Sequence, residues 1–479
     1  MSCLKECQNL LEDHRVLIAQ FPVLKDRFAP WAAKLEKLSK AVDLESLKGE
    51  RALWQFSMEF RKIWLTAVQD HTVKSLKSPA HFHSPRRMGG EKYSFPYDRW
   101  GRPKSFEEGY GESLELAEGW QGTHFFFGNA MAALTTFMMQ FKQMSAKKKV
   151  SLLGHQGYFE FHDLLRLMCG PDFSAHLSAH LDGFYQRIAQ GEGDLILIEP
   201  VYANNDLSVF DEQSFFAAWD KRTNKGETIV LIDTSLVGDR FDLKTFMERF
   251  GDYSPAMVVQ FLSAIKLHQI GLEFSSFGIL SIFMAENSKY FSHRAAFEGS
   301  IKMIRRTMGN GATYDEYSAV EFPLLSGASI LERHCDQVFE NNANLAKRLE
   351  EVAGLGLIKR VNHPVLGTMT DRSHAVAPYV VLLLSEGSKA DVTFLKRVLE
   401  KQSQKRGMLF QSGSSFGFRF HRFEVNDYHE EKEPSFRIAM GSFDGPTVEL
   451  IGCLIEEIAE FDTFEELREA YSEIKHPDD

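Results

Sequence analysis

Lys266 lies in the run Val258-Val259-Gln260-Phe261-Leu262-Ser263-Ala264-Ile265-Lys266, an apolar stretch ending in a small hydroxyl residue with a lysine three positions on. That arrangement can hold a buried amine beside a phosphate, and a buried amine forms a Schiff base with an aldehyde. A second apolar run, Ile229 to Ile232, is closed by Asp233. A carboxylate at that depth is costly unless it is paired with a cation. A protonated pyridine nitrogen is such a cation, so the lysine and the aspartate together fit pyridoxal 5'-phosphate as cofactor. A strand-end aspartate capping the next loop is the plainer alternative. Arg437 sits in the apolar run Ser435-Phe436-Arg437-Ile438-Ala439-Met440-Gly441. Its planar fork suits a substrate carboxylate, and a structural salt bridge explains it equally well.

Three further segments carry polar groups at matching places. Gly128-Asn129-Ala130-Met131-Ala132-Ala133 opens a helix after Phe125-Phe126-Phe127, and free N–H groups around Ala130 and Met131 would seat a phosphate. Tyr158, in Gly154-His155-Gln156-Gly157-Tyr158, follows the next apolar run and can lie flat on an aromatic ring or be an ordinary half-buried tyrosine. Asn204 follows Glu199-Pro200 and can donate to a ring hydroxyl or merely shape a turn.

These positions need a scaffold. Val150–Leu153, Leu195–Ile198, Ile229–Ile232 and Met257–Val259 are short apolar runs separated by amphipathic helical stretches. That alternation predicts an α/β fold, a mostly parallel sheet covered by helices on both faces in three layers. In such a sheet, ligands collect at the carboxyl ends of the strands. Residues 1 to about 78 show helical spacing, as in Leu53, Phe56, Phe60 and Ile63. Residues 79–105, rich in Pro, Gly, His and Arg, read as an extended arm, with His81, His83, Arg86 and Arg87 as solvated groups. After about residue 325 the pattern changes to a helix (Val338–Val352), a strand (Tyr379–Leu384), a glycine-serine loop (Gln411–Gly417) and a closing helix (Thr447–Phe461), a smaller α+β unit. The expected division is 1–90 helical extension, 91–325 large domain and 326–479 small domain.

Composition excludes several classes. A net charge of −11 argues against a nucleic-acid binder. No apolar run approaches a membrane span, and the charged start Met1-Ser2-Cys3-Leu4-Lys5-Glu6 lacks an export signal, so a cytoplasmic protein is expected. The five cysteines form neither a disulfide framework nor a zinc pattern. Cys3 and Cys7 share a helical face but read as thiols on a frayed terminal helix, and no metal site is expected.

Taken together the segments resemble the pyridoxal-phosphate enzymes of fold type I, most closely the cysteine/methionine-metabolism (trans-sulfuration, cystathionine γ-synthase and γ-lyase) family. Tyr97-Asp98-Arg99-Trp100-Gly101-Arg102-Pro103 looks like that family's Tyr-Ser-Arg-x-x-Asn-Pro arm. The resemblance implies that Tyr97 and Arg99 reach the cofactor phosphate of a neighbouring subunit, with Tyr97 also catalytic, in a homodimer or homotetramer. Phe127 to Ala133 is similar to the family's phosphate loop, and Tyr158 matches its ring-stacking tyrosine. Asn204 falls on the asparagine of Glu-Thr-Pro-x-Asn-Pro, Asp233-Thr234 on Asp-Asn-Thr and Ser263-Ala264-Ile265-Lys266 on Ser-x-Thr-Lys. Arg437 to Gly441 looks like the strand whose arginine holds the substrate carboxylate.

The chain also departs from the pattern. Ile265 replaces a phosphate-binding threonine, the stretch between Asp233 and Lys266 is long, and Gln411 to Gly417 resembles a loop of aminotransferases of the same fold. The resemblance implies a lyase or γ-substitution enzyme acting on an amino acid with a leaving group on Cβ or Cγ. The alternatives are an aminotransferase and a non-catalytic interaction module retaining the fold. Phe416, Phe418, Arg419, Phe420 and His421 are expected to border the substrate pocket or to pack as a strand edge.

Overall fold

The computed structural model describes residues 3–75, 88, 104–144, 149–426 and 433–477. A seven-stranded sheet is built from β1 (Trp120–Phe127), β2 (Val150–His155), β3 (Phe173–Ser178), β4 (Leu195–Ile198), β5 (Ile229–Asp233), β6 (Met257–Ser263) and β7 (Gly278–Ala285). Their order is β1-β7-β6-β5-β4-β2-β3. Only β7 runs antiparallel to its neighbours, so the sheet is mostly parallel as expected.

The apolar runs are unbroken because both faces of the sheet are covered. Ile196, Ile198, Val230, Ile232 and Val258 enter one core. The alternate residues Leu195, Leu197, Leu231, Val259 and Phe261 enter the other. Helices such as Glu212–Lys221 on one side and Ala130–Met144 on the other complete three layers.

A second sheet holds β8 (Ile358–Asn362), β9 (Val380–Leu384), β10 (Phe410–Ser412), β11 (His421–Asn426) and β12 (Ser435–Ala439), in the order β10-β11-β12-β9-β8. The helices Ala328–Glu350, Lys389–Arg406 and Pro446–Ala459 share one core with it. The first of these starts at Ala328 rather than Val338. Its buried His334 and Gln337 break the apolar period before Val338 that would mark the earlier turns in sequence. The acidic segment after Phe461 forms a helix, Phe464–Ala470, that buries Phe464 and Leu467.

Three helices, Cys3–Gln20, Lys25–Leu38 and Leu47–Ser75, precede the large sheet. Their aromatic seam of Phe28, Trp31, Phe60 and Trp64 packs on Ile270, Phe322 and Phe443. Cys3 and Cys7 are wholly buried in this core, which corrects the expectation of a frayed terminus. Burial pushes both thiols up to about 12, the behaviour of inert core cysteines. No helix among the described residues is long and apolar enough to cross a membrane. His81, His83, Arg86, Arg87, Tyr97 and Arg99 lie outside the described residues.

Candidate active site

Five parallel strands present their carboxyl ends along one edge of the large sheet. Asn129 follows β1, Tyr158 follows β2, Glu199 follows β4, Asp233 ends β5, and Ser263 ends β6 just before Lys266. Gly278, the first residue of β7, pairs with both Phe127 and Ser263 at that edge. A side chain at Gly278 would run into the backbone of Asn129 and Ala130, so glycine lets the helix Ala130–Met144 start against the sheet.

The edge opens into a cavity of about 330 Å³ lined by Ala130, Met131, Tyr158, Asp233, Ser263 and Lys266. It adjoins a second cavity of about 320 Å³ that shares Tyr158 and Lys266 and adds Asn204, Tyr379, Phe416 and Arg437. Both volumes suit a small-molecule ligand. Ala130, Met131, Tyr158, Asn204, Asp233, Ser263, Lys266 and Arg437 therefore gather around two adjoining cavities.

Lys266 is half-buried among rings. Its Nζ stands 4.4 Å from the centroid of Phe416 and 5.1 Å from that of Tyr158. Burial lowers the amine's pKa, opposed by the Asp233 carboxylate and reinforced by the Arg437 guanidinium. A lowered pKa favours the neutral, nucleophilic amine. Asp233 carries the opposite shift: burial raises its carboxyl, while the hydroxyl and N–H of Ser235 and the charge of Lys266 oppose the rise. The Ser235 N–H donates to Asp233 Oδ1 at 2.8 Å, and Ser235 Oγ accepts from the Ser263 N–H at 2.9 Å. Ser235 thus joins the ends of β5 and β6. It lines the cavity beside Ser263.

At the start of the helix Ala130–Met144, Asn129 Oδ1 accepts from the Ala132 N–H at 2.8 Å. Ala130 and Met131, the first residues of the helix, line the cavity, and the N–H groups of a helix start suit an anion.

Glu199 was noticed in sequence only as a neighbour of Asn204. It is buried, and it accepts from the Tyr158 N–H at 3.1 Å and the Ala203 N–H at 2.8 Å. One carboxyl therefore fixes both loops that flank the slot. Burial, helped by the charge of Asp233, pushes it up to about 8. Asn204 lines the second cavity, but its side chain is engaged with Ser208, donating to Oγ at 3.4 Å and accepting from N–H at 3.3 Å. The turn-shaping alternative describes that contact.

Arg437 reaches the second cavity from β12 and lies 5.2 Å from the centroid of Tyr379. It is also ion-paired through one Nη to Glu424, its directly opposite partner on β11. Glu424 was missed, although the alternation His421, Phe423, Val425 against Arg422, Glu424 marks a strand with a charged face.

Of the five residues expected at the pocket border, Phe416 is there. The other four lie elsewhere, Phe418 to Phe420 in the bend before β11 and His421 at its first position. Phe418 lies under the Arg422 guanidinium at 3.8 Å, Phe420 stacks on Phe443, and His421 Nδ1 accepts from the Gly441 N–H at 3.1 Å. Arg419 turns away to Asp13 on the first helix.

The arrangement offers an anion seat, a flat apolar slot, a carboxylate, an amine of lowered pKa and a guanidinium. No family model matches the chain, and no curated protein matches it in sequence. Solved structures do match. Cystathionine γ-synthase from Xanthomonas oryzae pv. oryzae, in complex with aminoacrylate and cysteine, aligns at a TM-score of 0.53 and 15% identity over 81% of this chain and 91% of that one. Cystathionine γ-lyase from yeast aligns at 0.55 and 14% identity, over 81% and 92%. A methionine γ-lyase from Micromonospora echinospora aligns at 0.52 and 16% identity, over 81% and 96%. The chain has the fold of these enzymes, the fold its motifs resemble.

Proposed function

We propose that the chain is a pyridoxal-phosphate enzyme that eliminates or replaces a leaving group on Cβ or Cγ of an amino acid. The observation that carries this reading is the single cavity shared by Lys266, Asp233 and the free start of the helix Ala130–Met144. The cofactor, when bound, supplies an electron sink next to the amino-acid α-carbon.

The chain's residues divide the remaining work. The N–H groups of Ala130 and Met131, with the hydroxyl of Ser263, would hold the phosphate. Tyr158 would lie against the ring, and Asp233 would pair with the protonated ring nitrogen, which would also satisfy a carboxylate that burial otherwise penalises. Lys266, its pKa lowered by burial, would hold the cofactor covalently and, once free, could take the α-proton. The guanidinium edge of Arg437 not used by Glu424 grips the substrate carboxylate, and Phe416 keeps water from Lys266. Tyr97 and Arg99 of a neighbouring copy complete the phosphate site in a homo-oligomer.

A second reading, transamination, is favoured by Ser414, Ser415 and Phe416 of the aminotransferase-like loop, which line the adjoining cavity with Lys266 and Arg437. The test is to supply pyridoxal phosphate and a panel of amino acids with sulfur, acyloxy or halide leaving groups. Release of the leaving group without an added keto acid supports elimination or replacement. Turnover only with an added keto acid establishes transamination instead, and no turnover by cofactor-loaded protein refutes both.

A further inference from the structure

The amino-terminal helices and Arg419 find no role in the chemistry above, yet they are joined by the most deeply buried ion pairs of the described chain. Asp13 is fully buried, and its Oδ2 accepts from Arg419 Nη2 at 2.7 Å. Its other oxygen pairs with Arg333, and Glu6 lies 3.4 Å from Arg419 Nε. Burying such charges is expensive, and only close pairing and hydrogen bonds offset the lost solvation.

What Arg419 fixes is the surroundings of Lys266. Its N–H donates to the Gly271 carbonyl at 3.1 Å, on the loop that leaves Lys266, and its own carbonyl accepts from the Phe443 N–H at 2.9 Å. That loop is strained: Ile270, a β-branched residue, has φ of 48°, and Gly271 follows at 70°. A side chain at Gly271 would stand 2.7 Å from both the Phe418 carbonyl carbon and the His334 ring. Two residues before Arg419, Gly417 (φ 76°) lies so close that a Cβ would be 3.0 Å from the Lys266 carbonyl carbon. The Gly417 carbonyl accepts from His334 Nε2 at 2.9 Å, and Phe416 covers the Lys266 amine. The same extension grips the loop from the other side, where Arg61 donates to the Leu272 and Glu273 carbonyls at 2.7 and 2.8 Å.

We propose that the amino-terminal helices are a clamp that holds the Lys266 loop against the Phe416–Arg419 segment, with Asp13 as its positioning residue. Asp13 does not touch the cavity; it acts through Arg419. The cofactor arm of the test rests on the function proposed above, whereas the exchange arm does not.

The experiment compares wild type, Asp13→Asn, and the pair Asp13→Asn with Arg419→Met, which removes both charges. Hydrogen exchange is followed in cofactor-free protein, and pyridoxal-phosphate binding is titrated by absorbance. In Asp13→Asn, amides of residues 266–272 and 415–420 are expected to exchange about tenfold faster or more, with β2 and β3 unchanged. Pyridoxal-phosphate affinity is expected to fall by about tenfold. The paired variant recovers neither local protection nor affinity. Recovery of both, or a folded Asp13→Asn variant with wild-type exchange in both segments, overturns the proposal. If Asp13→Asn does not fold, the paired variant carries the same test. Faster exchange in a protein whose wild type binds no pyridoxal phosphate would keep the clamp and remove the cofactor reading.

Discussion

Replacing Gly157 by alanine isolates the contribution of Glu199 to the slot. A Cβ at residue 157 would overlap Glu199 Oε1 and stand 2.6 Å from its carboxyl carbon. Gly157 is not among the residues of positive φ, so the alanine backbone itself is unstrained. Relief therefore requires the carboxyl to swing away, giving up the N–H groups of Tyr158 and Ala203. Each buried N–H left without a partner costs about 1–3 kcal/mol. With water recovering part of that, the variant should lose about 2–4 kcal/mol. Urea unfolding of the cofactor-free protein measures it, in a cycle of wild type, Gly157→Ala, Glu199→Ala and the double variant. In the Glu199→Ala background the oxygen is gone, so the alanine should cost less than about 0.5 kcal/mol, giving a coupling of about 2–4 kcal/mol. Equal costs in the two backgrounds would refute the reasoning, because the effect would then not pass through the carboxyl.

Two other outcomes follow from buried carboxylates. Glu199 is raised from 4.5 to about 8, so the folded state keeps a proton that the unfolded chain releases. Its contribution to stability is present below the unfolded value and is lost as pH rises through the folded one. Cofactor-free protein should therefore lose a few kcal/mol between about pH 5 and pH 8, and Glu199→Gln should flatten that slope; an unchanged slope in urea titrations assigns the loss to other groups. Glu50, buried on the third helix, accepts from the Thr447 N–H at 3.2 Å and Oγ1 at 2.6 Å, capping the helix Pro446–Ala459 from a distant segment. Glu50→Ala should cost about 1–3 kcal/mol in calorimetry, and a variant as stable as wild type would show that the helix needs no such cap.

The sheet and the polar residues at its carboxyl edge were legible because β4, β5 and β6 are unbroken apolar runs whose ends are marked by Glu199, Asp233 and Ser263. Less visible was β3, an edge strand whose Ser174 and His176 dilute its apolar pattern. Cross-strand and cross-chain partners were hidden altogether. Glu424 meets Arg437 only through strand register, and Asp13 meets Arg419 across 406 residues of chain. Arg419 was misplaced for the same reason, since nothing local distinguishes an arginine facing a cavity from one facing a helix. Ser235 was overlooked because its value lies in bridging two strand ends rather than in any spacing along one.

The central claim is tested most directly by incubating the protein with pyridoxal phosphate, reducing with borohydride and locating the label by peptide mass spectrometry. A pyridoxyl group on Lys266, absent from Lys266→Ala and weakened in Asp233→Asn, is the predicted result. Label spread over surface lysines, or retained in full by the Lys266→Ala protein, would contradict the account.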